Sequence, residues 1–131
     1  MQLKTEICFC LMVLSLSPQC QKNMKFSYVD GSGNRYHLLD QQLTYAPMTP
    51  EHSSSGTYSG GDPAVKNLSK TELSQLKEKA EGLVADTTCH TQMRTMGTGT
   101  LRAGEKRVLL SYRCRSKQAF ESWLKALLKE D

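Results

Sequence analysis

The chain has 131 residues, a formal net charge of +4, 38% hydrophobic and 23% charged residues. That is the size of one domain with enough apolar content for a core, which excludes wholesale disorder. No run of five or more like charges occurs, so the small excess of Lys and Arg does not mark a dedicated polyanion-binding tail.

The first residues stand apart from the rest. Ile7 to Leu16 is almost wholly apolar, with Lys4 before it. This is about the length of the apolar region of a secretory signal and shorter than the ~20 residues of a bilayer-spanning helix. We expect residues 1–19 to be a signal peptide and residues 20–131 a single small domain. Leu11 to Lys22 resembles a bacterial lipoprotein signal: an apolar run, then Cys20, then Gln21, Lys22 and Asn23. Ser17-Pro18-Gln19 departs from the aliphatic and small residues that usually precede the cysteine. The resemblance implies a lipid on Cys20, peripheral attachment to a membrane and a place in the cell envelope. The alternative is a cytosolic chain that starts at Met24, where MKFSYVD opens the domain.

The cysteines divide accordingly. Cys8 and Cys10 fall in the signal, Cys20 is the lipid-anchor candidate, and Cys89 and Cys114 remain in the domain as an even pair. In an exported domain that pair is expected to form a disulfide.

From Met24 onward, Phe26 and Tyr28 alternate with Lys25 and Ser27 at the period of a half-buried strand. Asp30-Gly31-Ser32-Gly33-Asn34 is a dense turn signal, and Arg35 to Tyr45 resumes the alternation. A hairpin is expected, with a bulge or break at Asp40-Gln41-Gln42. Residues 46–63 hold three prolines, three glycines and four serines, and read as a long polar loop. Asp62-Pro63 has the pattern of a short helical turn, with aspartate as N-cap and proline at the first helical position. Leu68 to Val84 is the clearest helix. Ser69 and Glu72 have capping-box spacing, Leu68 and Leu73 can form a hydrophobic staple, and Leu73, Leu76, Ala80, Leu83 and Val84 make one stripe. A second hairpin follows, running through Gly97 to Arg102, a turn at Ala103–Lys106, and Arg107 to Arg113. A final helix is expected to be capped by Ser116, with Phe120, Trp123, Leu124, Leu127 and Leu128 as its apolar stripe. The order ββ–loop–α–ββ–α gives an α+β fold: a small antiparallel sheet of two hairpins with two helices packed on one face.

Chemical motifs are sparse. His37, His52 and His90 form no HxH or HExxH pattern and no CxxC occurs, so the sequence supports neither a metal site nor a cofactor. Gly97-Thr98-Gly99 lacks the lysine and following helix of a phosphate loop, and close backbone packing is the expected reason for its glycines. Asn67-Leu68-Ser69 matches a glycosylation sequon only formally, since Ser69 is wanted as a helix cap. Tyr45 and Tyr58, beside and within the long loop, are the candidate binding residues. Arg107, Arg113 and Arg115 are candidates for contact with an anion.

The expectation is a small exported, lipid-anchored interaction or inhibitor-like domain that binds an extracytoplasmic protein or envelope component through its long loop. Two other readings stand beside it. One is a hydrolytic enzyme using Cys89 with a distant histidine. The other is a cytosolic basic nucleic-acid-binding module from Met24, a partner that export argues against.

Overall fold

Alternation in the first strand decides which way the sheet faces. In the computed structural model, which describes residues 24–129, β1 (Phe26–Val29) buries Phe26 and Tyr28 and leaves Ser27 and Val29 half-buried on the other face. β2 (Arg35–Leu39) buries Tyr36 and Leu38 and exposes Arg35, His37 and Leu39. The expected break at Asp40 is a complete turn, with Asp40 at φ 57°, in the left-handed region that aspartate tolerates. It separates β2 from β3 (Gln42–Ala46). The signal peptide, Cys8, Cys10 and the anchor candidate Cys20 lie outside the described residues.

Ala64–Asn67 forms β4. The helical turn expected from Asp62-Pro63 is therefore corrected: the chain pairs Ala64 with Tyr45 and Val65 with Thr44 instead. Four residues are too few to show an alternation in sequence, and the available edge of β3 decides the conformation. β5 (Gly99–Ala103) and β6 (Lys106–Leu110) form the second hairpin. The six strands run in the order β4-β3-β2-β1-β5-β6, and every pairing is antiparallel.

Helix α1 (Lys70–Ala85) starts as its sequence requires. The Glu72 N–H donates to Ser69 Oγ at 3.2 Å, and the Ser69 N–H donates to Glu72 Oε1 at 2.9 Å. Each bond satisfies a backbone donor that the first turn leaves orphaned. Leu76, Ala80 and Leu83 are buried, with Leu73 and Val84 packed at the margin. Helix α2 (Arg115–Lys129) begins two residues earlier than a Ser116 cap allows. Cys114 takes that place, and its Sγ accepts from the Lys117 N–H at 3.2 Å.

Both helices lie on the same face of the sheet. Leu76, Ala80 and Leu83 of α1, Phe120, Leu124 and Leu127 of α2, and Phe26, Tyr28, Tyr36, Leu38, Leu43, Leu101 and Leu110 of the strands make one core. Phe120 meets Phe26 and Tyr28 edge-on, at centroid distances of 6.1 and 5.5 Å. The fold is thus α+β, with one sheet face covered by helices and the other open.

Candidate loop-pole site

Strand register divides the molecule into two unlike ends. Val29, Arg35, Ala46, Thr100 and Leu110 lie toward one end; Phe26, Leu39, Gln42 and Lys106 lie toward the other. The second end carries tight turns at Asp40-Gln41 and Gly104-Glu105, and the chain enters the domain there at Met24 and Lys25. The first end gathers residues 30–34, 47–63, 86–98 and 111–114. All the longer connections of the described residues therefore share one pole.

These segments are tied to each other. Asn34, 4% exposed, is the central tie. Its side-chain amide donates to Asp30 Oδ2 at 2.9 Å and to Tyr58 Oη at 3.0 Å, and its carbonyl oxygen accepts from the Met48 N–H at 2.8 Å. Tyr45 Oη donates to the Gly60 carbonyl at 2.7 Å, and the Tyr45 ring packs on Tyr36 at 4.9 Å between centroids. Burial, then the nearby Asp30 carboxylate, push the Tyr45 hydroxyl above the usual tyrosine range. Tyr45 and Tyr58 thus hold the long loop down with their hydroxyls, although Tyr58 keeps 38% of its surface exposed.

The 30–34 turn packs against the 86–98 segment through two glycines. A Cβ on Gly31 would collide with the backbone of Gly97. Gly97 has φ +87°, and a Cβ there would lie 2.8 Å from Tyr112 Cβ, so this contact accepts no side chain. Gly99 is also a place of close packing, since a Cβ would press on Tyr28 Oη and Lys117. Beside Gly97 the chain exposes Met96 at 95%, Met93 at 73% and Tyr112 at 48%. Arg113 Nε donates to Tyr112 Oη at 2.8 Å, with the guanidinium 5.3 Å from the ring centroid.

A disulfide staples the same pole. Cys89 and Cys114 are bonded, with Cα atoms 5.1 Å apart, as the reading of the cysteine pair expected. Ser111 N–H donates to the Cys89 carbonyl at 2.8 Å, and Thr91 N–H to the Leu109 carbonyl at 3.0 Å, so the bridged segments also pair through their backbones. His90 Nε2 donates to the Leu83 carbonyl at 2.9 Å, which satisfies an acceptor in the last turn of α1. With Cys89 Sγ bonded to Cys114, no thiol is present for a nucleophilic mechanism at Cys89.

The structure does not bring Arg107, Arg113 and Arg115 to one place. Arg107 lies opposite Arg102 on the open sheet face. Arg113 lies at the loop pole beside Tyr112, and Arg115 opens α2 with an exposed side chain. Met93, Met96 and Asn34 were not singled out by sequence reasoning. Nothing in the pattern TQMRTM distinguishes an exposed methionine from a core one, whereas Asn34 carried the turn signal but not its partners. Among the described residues, no group of three or more His, Cys, Asp or Glu is placed to hold a metal ion, and no helix is long and apolar enough to cross a membrane.

No family model matches the chain, and no curated protein or solved structure matches it either.

Proposed function

We propose that this chain is an exported, lipid-anchored interaction domain that recognises an extracytoplasmic protein or envelope component through its loop pole. The observation that carries the reading is the convergence, at one pole, of four cross-tied connections that leave Met93, Met96, Tyr58 and Tyr112 in solvent. Methionine, tyrosine and arginine are the residue types enriched at the centres of protein interfaces. Holding the segments by Asn34, by the Gly31–Gly97 contact and by the disulfide lowers the ordering cost that a loose loop would incur on binding. The Cys89–Cys114 bond supports an oxidising compartment. An anchor at Cys20 would leave the loop pole clear, because the chain reaches the domain at the opposite end.

Position-specific crosslinking tests this. A photoreactive residue in place of Met96 should give a discrete protein adduct in the envelope fraction of cells that express the chain. The same residue in place of Glu105, exposed at the other pole, should not. Indistinguishable adducts from the two positions would contradict recognition by the loop pole.

A further inference from the structure

The face of the sheet that the helices leave open has a composition of its own. Register places Val65, Thr44, His37, Ser27, Arg102 and Arg107 side by side in a single row across all six strands. The adjacent row runs Ala46, Arg35, Val29, Thr100, Leu109. Arg94 reaches onto it from the loop above, its guanidinium donating to Thr100 Oγ1 at 3.3 Å. Arg35, Arg94, Arg102 and Arg107 are all exposed. The strand residues of this face include no Asp or Glu. Arg102 and Arg107 are direct cross-strand partners, and like charges so placed repel unless an anion lies between them.

This face is also concave. A groove of about 610 Å³ is lined by Lys25, Ser27, His37, Leu39 and Arg102, with Asp40 as its single acid. A second hollow of about 340 Å³ continues it past Ser27 and His37 to Arg35. Leu39, 64% exposed, lines the groove with these cations, and Val65, 60% exposed, adds an apolar side chain on the β4 edge of the same face. The strand residues of this face include no Phe, Tyr or Trp on which a nucleobase could stack.

We propose that the open sheet face docks on the phosphate headgroups of an anionic lipid bilayer, with the arginines at the phosphates and Leu39 and Val65 turned into the interface. Cations held against an anionic surface, together with a few apolar side chains, are the composition of a peripheral membrane contact. Chain length supports the same occupant. Cys20 precedes Met24 by four residues, and a fully extended chain of that length spans at most about 14 Å. Met24 and Lys25 both line the groove, so a lipid on Cys20 would hold the groove close to the bilayer. In that orientation the loop pole stays uncovered. The proposal deepens the lipid-anchored reading, which on its own leaves the molecule free to turn about a single acyl attachment.

The test uses the mature chain, residues 20–131, carrying Cys20→Ser, so that neither the apolar signal nor an acyl group contributes, and sedimentation with lipid vesicles. Vesicles containing phosphatidylglycerol should carry the protein down at low salt and release it at high salt, while pure phosphatidylcholine vesicles should not bind it. Each arginine near an anionic surface strengthens binding about fivefold, so Arg102→Gln with Arg107→Gln should weaken it by about 25-fold. Arg113→Gln with Arg115→Gln, outside the open face, should change it less than threefold. All four side chains are exposed, and an unchanged circular dichroism spectrum confirms folding in each variant. Equal binding to both vesicle types, or equal loss from the two variant pairs, would overturn the proposal. Tighter binding to a single-stranded oligonucleotide than to the vesicles would overturn it in favour of nucleic acid. The acylation state of Cys20 in cells is read separately and does not alter the vesicle result, so the two ideas can fail independently.

Discussion

Two tyrosines one strand apart show how far a single hydroxyl can differ from its neighbour. Tyr28 and Tyr36 are cross-strand partners with rings 6.1 Å apart, and both are at most 1% exposed. Tyr28 Oη donates to Glu121, whose carboxylate also meets the Lys117 ammonium at 3.1 Å. Tyr36 Oη has no hydrogen-bond partner among the described residues. Burial pushes both hydroxyls well above the usual tyrosine range, and for Tyr28 the bond to Glu121 adds to it. A raised pKa of this origin leaves stability intact below about pH 10 and removes it as the unfolded chain ionises above that. A buried donor without a partner costs free energy that its removal recovers, whereas removing one member of a satisfied pair costs about 1–2 kcal/mol. Tyr36→Phe is therefore expected to be neutral or stabilising by up to about 1 kcal/mol, and Tyr28→Phe destabilising. Urea denaturation of the two variants at neutral pH decides it, and an equal loss in both would contradict this account of the pair. Alternation in the sequence marked Tyr28, Tyr36 and Tyr45 as strand residues, but it could not say which hydroxyl would find a carboxylate 93 positions away, which a backbone carbonyl, and which nothing.

Elements were legible where their signals are local. The capping box, the α1 stripe and the α2 stripe lie within a few residues of sequence, and the structure forms each of them. β4 was not legible, because a four-residue strand after Pro63 exists only through pairing with β3. The start of α2 was misplaced for a related reason: Cys114 is held in position by Cys89, and its sulfur takes the Lys117 N–H that a serine hydroxyl was expected to take. The cap of α1 has a pH signature. Glu72 is held below the usual carboxylate range by the Ser69 N–H first and by the Lys66 ammonium at 3.0 Å second. A lowered carboxylate pKa stabilises above the unfolded value, near 4.5, and that contribution disappears as the pH falls through the folded value. Lys66 also donates to the Leu127 carbonyl at 3.0 Å, so this corner joins β4, α1 and α2. Glutamine keeps the acceptor for the Ser69 N–H and loses only the charge facing Lys66, so Glu72→Gln should lower the unfolding free energy at pH 7 by about 0.5 kcal/mol. At pH 3 the difference from the parent should shrink. A gap of the same size at both pH values would show that the carboxylate charge contributes nothing.

At the scale of the whole molecule two surfaces carry the proposals: the loop pole at one end of the strands and the sheet face that the helices leave open. The loop pole was legible in part: the sequence marked residues 46–63, Tyr45 and Tyr58, but it could not place the 90–98 segment beside them, since that depends on Gly31 meeting Gly97 across the sheet end. The open face was less legible still, because Arg35, Arg94, Arg102 and Arg107 are spread over 73 positions and come together only through register. The claim that unites these surfaces is that a disulfide-stapled domain works outside the cytoplasm, held by its N-terminus at the pole away from its recognition loops. Intact mass of the protein isolated from its own cells without reductant tests this most directly. The account predicts a chain that begins at an acylated Cys20 and is lighter by two hydrogens than its reduced form, the loss restored by reductant. A chain beginning at Met1 or Met24 with Cys89 and Cys114 as free thiols would contradict it.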